Sequence, residues 1–387
     1  MARKKAKRRI PQGKTVKRRS LMSRIVLIAN IIVAGLLLIS YLSPWISPRV
    51  TTLPAFLGLG YPYLASVNLI FIIFWLIVFK PFFLISLLSL VAGFPIAARH
   101  FQFNARQPVS ELDVKARVMS YNVRMFDFYD WKKDEASLER ILTDISDQAP
   151  DILCLQEFYN NHTTDDDILG KVRELEKLEY HHAAFDTIKG KHAYGIATFS
   201  AFPIVGQGEV IISEQPRNHA LFTDILLEDD TVRVYNFHLA SYYFARDDYD
   251  FVEGLQKKKD TRNWYKRSRQ LLSKINKGFR IRAEQAETLR AHMDTSPYPI
   301  ILCGDFNETP GSYVYRLLSR ELTDAFRQSG SGIGKTYAGL LPSYRIDYIM
   351  IGGGLRSANF RTLPPTVSDH MPISTYILSD TLQVQRP

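Results

Sequence analysis

Asp305 and Asn307 stand two residues apart at the end of an apolar run, Ile300-Ile301-Leu302-Cys303-Gly304. In extended chain, residues two apart point to the same side. One is a carboxylate that can take a proton and the other an amide that can hold an oxygen, a pairing suited to hydrolysis. Five further apolar runs end in polar groups. Ala116–Tyr121 releases Asn122, Ile152–Leu155 releases Gln156 and Glu157, and Val232–Tyr235 leads through Asn236 to His238. Ile346 leads into Asp347, and Val367-Ser368 into Asp369 and His370. Buried carboxylates, amides and imidazoles are costly unless they pair with one another or with a metal. Any one alone reads as a capped turn, but six at the ends of apolar strands point to one shared site.

The elements that must position these groups alternate charged helical stretches with short apolar strands, the pattern of an α/β or α+β layered domain. Strands are expected at 115–121, 151–156, 195–199, 208–212, 219–227, 231–239, 299–303, 346–351 and 375–378. Helices are expected at 137–148, 164–178, 264–277, 282–293 and 314–320. Cys154 and Cys303, the only cysteines, lie inside apolar runs and read as buried reduced thiols.

The first hundred residues differ in kind. Residues 1–20 carry ten Lys/Arg, and residues 21–110 five more, with no acid in either stretch. Of 49 basic residues this leaves 34 for residues 111–387, against all 39 acids, a net of −5. The basic balance therefore belongs to the N-terminus and does not mark the remainder as a nucleic-acid binder. Ile25–Leu42 is an almost uncharged run of 18 residues, long enough for ~30 Å of hydrocarbon, and no small-residue cleavage site follows. Trp45, in the Pro-containing loop after it, suits the interface. Three spans are expected, about 25–43, 61–79 and 82–98, the last interrupted by Gly93 and Pro95. Basic residues before the first span place the N-terminus inside. Three crossings then put the rest outside the cytoplasm; a re-entrant third segment would put it inside. The expected division is a basic tail (1–20), a membrane region (21–100), a linker (101–113) and a catalytic domain (114–380).

Asn122 within Ser-Tyr-Asn-Val-Arg, Leu155-Gln156-Glu157, Phe237-His238-Leu239, Gly304-Asp305-Phe306-Asn307, Arg345-Ile346-Asp347-Tyr348-Ile349 and Ser368-Asp369-His370-Met371-Pro372 resemble, in order, the motifs of the endonuclease/exonuclease/phosphatase (deoxyribonuclease I-like) superfamily. The resemblance covers roughly residues 115–380. It implies a four-layered α/β sandwich, two packed sheets with helices outside, and a phosphoester cleft at the strand ends. It implies Glu157 as principal ligand of Mg²⁺, with Mn²⁺ as substitute, and Asn122 and Asp369 completing that neighbourhood. Asp305 would orient or deprotonate the attacking water, with Asn307 holding it and a phosphate oxygen. His238 and His370 would stabilise phosphoryl charge or protonate the leaving oxygen, and Asp347 would orient His370. One departure stands out. The deoxyribonuclease branch pairs its first histidine with a second glutamate, and His192–Ala197 contains none, which argues against a true deoxyribonuclease.

The sequence thus predicts a monomeric, membrane-anchored, metal-dependent phosphoesterase, with a phosphodiester the expected substrate. The alternatives are an endonuclease on extracytoplasmic nucleic acid and a non-catalytic binder of anionic ligands. Residues 257–282 hold eleven Lys/Arg against one acid, Asp260, with Trp264, Leu271, Leu272, Ile275 and Phe279 on an uneven apolar face. A solvated helix, an amphipathic helix on anionic headgroups and a nucleic-acid clamp all fit. Gly330–Thr336 resembles a P-loop but has Ser329 where the motif needs Gly and lacks a preceding strand, so it reads as a loop. His181-His182 and Asp165–Asp167 lack partners at metal spacing.

Overall fold

A computed structural model describes residues 21–128, 135–161, 167–175, 177–189, 192–212, 220–242, 244, 247–248, 251–252, 254, 264–339, 344–364 and 367–379. The basic tail 1–20 and residues 257–263 of the basic segment lie outside them, as do Asp165 and Asp166.

The chain begins with α1 (Leu21–Ser40), α2 (Leu53–Leu59), α3 (Tyr61–Ile77), α4 (Phe83–Ala92) and α5 (Phe94–His100). Among the described residues, α1 alone is long and apolar enough to cross a membrane by itself. The pairs α2/α3 and α4/α5 each pass only if taken as one span, and each bends by 66°. The expected third segment breaks at Gly93, where α4 ends and Pro95 opens the next helix. A buried polar cluster ties α1, α3 and α4 together. Asn30 donates to Ser86 at 2.6 Å, Ser86 to Asn68 at 2.8 Å, and Trp75 Nε1 to Asn30 at 2.9 Å. In an apolar surrounding such bonds fix which helix faces meet.

After β1 (Gln102–Phe103), two six-stranded sheets form. The first follows β2 (Val114–Asn122), α6 (Glu135–Gln148), β3 (Ile152–Asn161), α7 (Ile168–Arg173), β4 (Tyr180–Lys189) and β5 (His192–Ser200). The second begins with β6 (Ile204–Glu209), β7 (Ala220–Leu227), β8 (Asp230–His238), the 30-residue helix α8 (Trp264–Met293) and β9 (Ile300–Asp305). It continues through α9 (Tyr313–Leu318), β10 (Thr323–Asp324), α10 (Ala325–Ser329), the short β11 (Ser331–Gly332) and β12 (Asp347–Ile351). β13 (Leu355–Thr362) and β14 (Ile373–Ser379) return to the first sheet. Strand orders are β13-β14-β2-β3-β5-β4 and β10-β12-β9-β8-β7-β6, with β1 and β11 paired apart.

Each sheet has one parallel pair at its centre, β2–β3 and β8–β9, bridged by α6 and α8 respectively. Such central strands bury both faces, which explains the unbroken apolar runs Ile152–Leu155 of β3 and Ile300–Cys303 of β9. Ile152 and Cys154 enter the core between the sheets, whereas Leu153 and Leu155 face the cluster that includes α6. Ile301 and Cys303 likewise face between the sheets, and Ile300 and Leu302 face the cluster with α8. Both cysteines are free and buried. Helix, sheet, sheet and helix stack as four layers.

Several expected boundaries move. Residues 264–277 and 282–293 form one helix, because Gly278 is accommodated where the Tyr242 ring would lie 2.9 Å from a Cβ. The 164–178 stretch is helical only over Ile168–Arg173 among the described residues. The 208–212 strand lies instead at Ile204–Glu209. The edge strands β4 and β13 were not anticipated; their mixed polarity gives no clean alternation.

The N-terminal helices are seated on the sandwich. Arg49 pairs with Glu287 at 2.7 Å, Thr52 donates to Asn276 at 2.5 Å, and Phe56 meets Phe279 edge-on at 5.2 Å. Arg99 donates to Pro310 O at 3.3 Å, Arg345 to Arg99 O at 2.9 Å, and Tyr344 to Leu59 O at 2.8 Å. Arg316 lies 3.5 Å over the Trp45 ring.

Candidate active site

Asn122, His238 and Asp305 close β2, β8 and β9, and Glu157 lies within β3 just past the point where its parallel pairing with β2 stops, so all four border the crevice that neighbouring strand ends open. Asp347 opens β12 directly opposite Asp305 in the antiparallel register, and His370 precedes β14. Residues far apart in sequence therefore converge.

Asp305 is 1% exposed and sits at the centre. Its Oδ1 accepts the Asn307 N–H at 2.8 Å. Its Oδ2 accepts from Asn122 Nδ2 at 3.1 Å and Asn307 Nδ2 at 3.3 Å, and lies 3.6 Å from His238 Nε2 and 3.7 Å from His370 Nε2. Burial, followed by the charge of Asp347, raises the Asp305 carboxyl to about 6; His370, His238 and the Asn307 N–H oppose the rise. Gly304 is required before it, since a Cβ there would lie 2.2 Å from Phe237 O. Asn307 adopts φ 51, a left-handed turn that asparagine tolerates, and also donates to Leu239 O at 3.0 Å.

His370 Nδ1 is 3.1 Å from both Asp347 oxygens. Burial alone lowers the basicity of this ring, but Asp347, then Asp305 and Asp369, outweigh it and raise the pKa to about 10. The ring is thus held as an imidazolium. Thr336 Oγ1 accepts the backbone N–H of Ile346 at 2.9 Å and of Asp347 at 3.1 Å. The P-loop look-alike therefore ends in a fully buried threonine that fixes Asp347.

Glu157 sits where the β3–β5 register slips, at φ 50. A bulge of this kind re-aims one side chain out of the ladder. Burial, then Asp369, pushes its carboxyl up against His370, the Asn122 bond and Arg124. Asn122 Nδ2 is 3.4 Å from Glu157, and its Oδ1 accepts from Arg124 N at 3.1 Å. Arg124 Nε is 3.6 Å from Asp369. The Glu157 and Asp369 side chains remain 22% and 29% exposed.

Two acid sets invite a cation. The ligand atoms of Asp305, Asp347 and His370 lie within 4.8 Å of one another. That trio is buried, and its His370 Nδ1 and Asp305 Oδ1 already make internal hydrogen bonds, so it reads as a self-compensated relay. Glu157 and Asp369 instead crowd two carboxylates at a partly open position. They fit a hard divalent ion that takes oxygen ligands and keeps waters. Asn122 can offer its oxygen there only after its amide turns over.

Two buried ion pairs that the motifs did not reveal brace this site. Arg282 donates to Glu308 at 2.9 Å and to Ala240 O at 2.9 Å; Arg345 donates to Asp324 at 2.7 Å. Glu308 follows Asn307 and Arg345 precedes Ile346, so each pair secures a loop that carries site residues. Arg345 stood inside a quoted motif, whereas Arg282 looked like one more charge in a basic run.

A model of the Endonuclease/Exonuclease/phosphatase family matches residues 119–370, and one of a domain of unknown function matches residues 23–100. No curated protein sequence matches. Among solved structures, an endonuclease/exonuclease/phosphatase from Beutenbergia cavernae is 18% identical (TM-score 0.49; 68% of this chain and 71% of that one covered). The human Nocturnin catalytic domain with bound sulfate is 19% identical (TM-score 0.47; 74% and 98%). A mannosyl-6-phosphatase from Bacteroides thetaiotaomicron is 16% identical (TM-score 0.46; 68% and 99%). Members of the matched family are hydrolases of phosphoesters and generally use a divalent metal. With the family model spanning most of the chain, from the end of β2 to His370, this protein belongs to the Endonuclease/Exonuclease/phosphatase family.

Proposed function

We propose that the protein is a membrane-anchored, divalent-metal-dependent phosphodiesterase. The observation that carries this reading is Asp305, a buried carboxylate surrounded by Asn122, Asn307, His238 and His370 beside the crowded pair Glu157 and Asp369. Glu157 and Asp369, with Asn122 beside them, would hold Mg²⁺ or Mn²⁺, which supplies charge stabilisation for a phosphoryl group.

Asp305 accepts the proton of the attacking water as the new O–P bond forms and the bond to the leaving oxygen breaks. Asn307 keeps its carboxylate oriented through the backbone N–H and the side-chain amide. The His370 imidazolium, charged because Asp347 faces it, presents Nε2–H towards the phosphoryl oxygens. His238, across Asp305, serves the leaving oxygen.

We assign residues 1–20 to a cytoplasmic tail, 21–100 to a three-span membrane region, 101–113 to a linker and 114–380 to the catalytic domain. Lys80 lies in the α3–α4 connection, at the end of α3 remote from the docked domain, as the basic tail does at the start of α1. This charge distribution favours the catalytic domain on the extracytoplasmic side.

The test uses the full chain in detergent micelles, with an activated phosphodiester, a phosphomonoester, plasmid DNA and phospholipid vesicles, each with Mg²⁺, with EDTA and as Asp305→Ala. Metal-dependent diester turnover that disappears in Asp305→Ala is expected. A folded protein that does not bind Mg²⁺ would refute the reading, and preferential DNA cleavage would replace it with a nuclease.

A further inference from the structure

The buried residues of α8 begin only at Gly278 and run to Met293, so its first fourteen residues contribute none to the core. At about 100° per residue, Trp264, Ser268, Leu271, Leu272, Ile275 and Phe279 fall on one side of the helix. Trp264 is 56% exposed, Tyr265 69% and Leu272 53%. Lys266, Arg269, Lys277 and Arg280 are exposed along the other side, and no acid occurs between Trp264 and Ala283. Lys274 and Arg267 turn inward instead, to Asp248 and the Phe251 ring.

The apolar stripe has a definite neighbour at its far end. Phe279 meets Phe56 of α2, and Asn276 takes a hydrogen bond from Thr52, so the stripe runs directly onto the segment between α1 and α3. That segment ends the apolar helices, where a bilayer would give way to headgroups. Exposed aromatics on one face and basic residues on the other, continuous with such a segment, match an interfacial helix and its preference for anionic lipid.

We infer that the first half of α8 docks onto anionic phospholipid headgroups of the leaflet on the catalytic-domain side, holding the sandwich against the membrane. This rests on the membrane-anchored reading but not on the hydrolytic one. The test places the full chain in lipid nanodiscs of phosphatidylcholine, or of phosphatidylcholine with phosphatidylglycerol, each with brominated acyl chains. The contribution of Trp264 to fluorescence is isolated by comparison with Trp264→Phe. Stronger quenching of Trp264 in the anionic discs is expected. Combined Lys266→Gln, Arg269→Gln, Lys277→Gln and Arg280→Gln should reduce that preference by about fivefold per charge, while hydrolysis of a soluble diester is retained. Unquenched Trp264, or equal quenching in both discs, overturns the inference. So does tight binding of single-stranded DNA lost with the same four charges, which would make the helix a nucleic-acid clamp.

Discussion

Replacing Asp347 with Asn removes a charge while nearly preserving shape. Both Asp347 oxygens lie 3.1 Å from His370 Nδ1. The ring is raised from the ordinary 6.5 to about 10, although burial works in the opposite direction. That difference of about 3.5 corresponds to roughly 5 kcal/mol of preference for the imidazolium, with Asp347 the first of the carboxylates that supply it. Without it, burial is opposed only by Asp305 and Asp369, and the ring loses its proton at lower pH. Loss of one preorganised donor to developing phosphoryl charge costs about 10²–10³-fold in kcat, so kcat should fall within that range while KM changes little. The assay is diester hydrolysis as a function of pH, with thermal unfolding confirming a folded variant. The proposed role of His370 requires its proton, so activity in the parent protein should be lost as pH rises through about 10, and in Asp347→Asn the loss should begin at lower pH. An alkaline limb that stays in place would refute the charge argument, whatever happens to the rate.

The proposed role of Asp305 requires its carboxylate, so activity should rise with pH through about 6; added Mg²⁺ should move this limb to lower pH, because a nearby cation favours the carboxylate. A limb indifferent to Mg²⁺ would place the ion elsewhere. Arg282→Met leaves Glu308 buried without its cation and should lower unfolding free energy by about 3–5 kcal/mol; adding Glu308→Gln should recover part of the loss in denaturant titrations. Removing residues 1–106 deletes the Arg99 bond to Pro310 O and the carbonyls of Arg99 and Leu59 that receive Arg345 and Tyr344. At about 0.5–1.5 kcal/mol each, these losses should loosen both catalytic loops and lower kcat more than they raise KM; equal kcat in the fragment and the full chain would show that the sandwich positions its loops unaided.

Of the six polar groups, those at Glu157 and Asp305 were legible because Ile152–Leu155 and Ile300–Cys303 are apolar on every residue, as a strand buried on both faces requires, whereas Arg117 and Arg233 interrupt the runs before Asn122 and His238. The order of the six, together with Gly-Asp-Phe-Asn and Ser-Asp-His, carried the family and the layered fold. Arg282 and Thr336 were not legible. An arginine in a basic run and a threonine in a glycine-rich loop carry no local mark of burial; each acquires its role from a partner tens of residues away. The continuity of α8 across Gly278 was not legible either, since the need for a glycine there comes from the Tyr242 ring packed against it.

Local patterning determined the central strands and the apolar helices, though not the edge strands β4 and β13, because propensity and periodicity act over a few residues. Tertiary structure decided that Asp347 faces His370, that Glu157 leaves the ladder at a bulge, and that α2 and α5 rest against the loops carrying Asn307 and Asp347. Those outcomes depend on how the sheets register and how the N-terminal helices bend, and no short stretch of sequence encodes either.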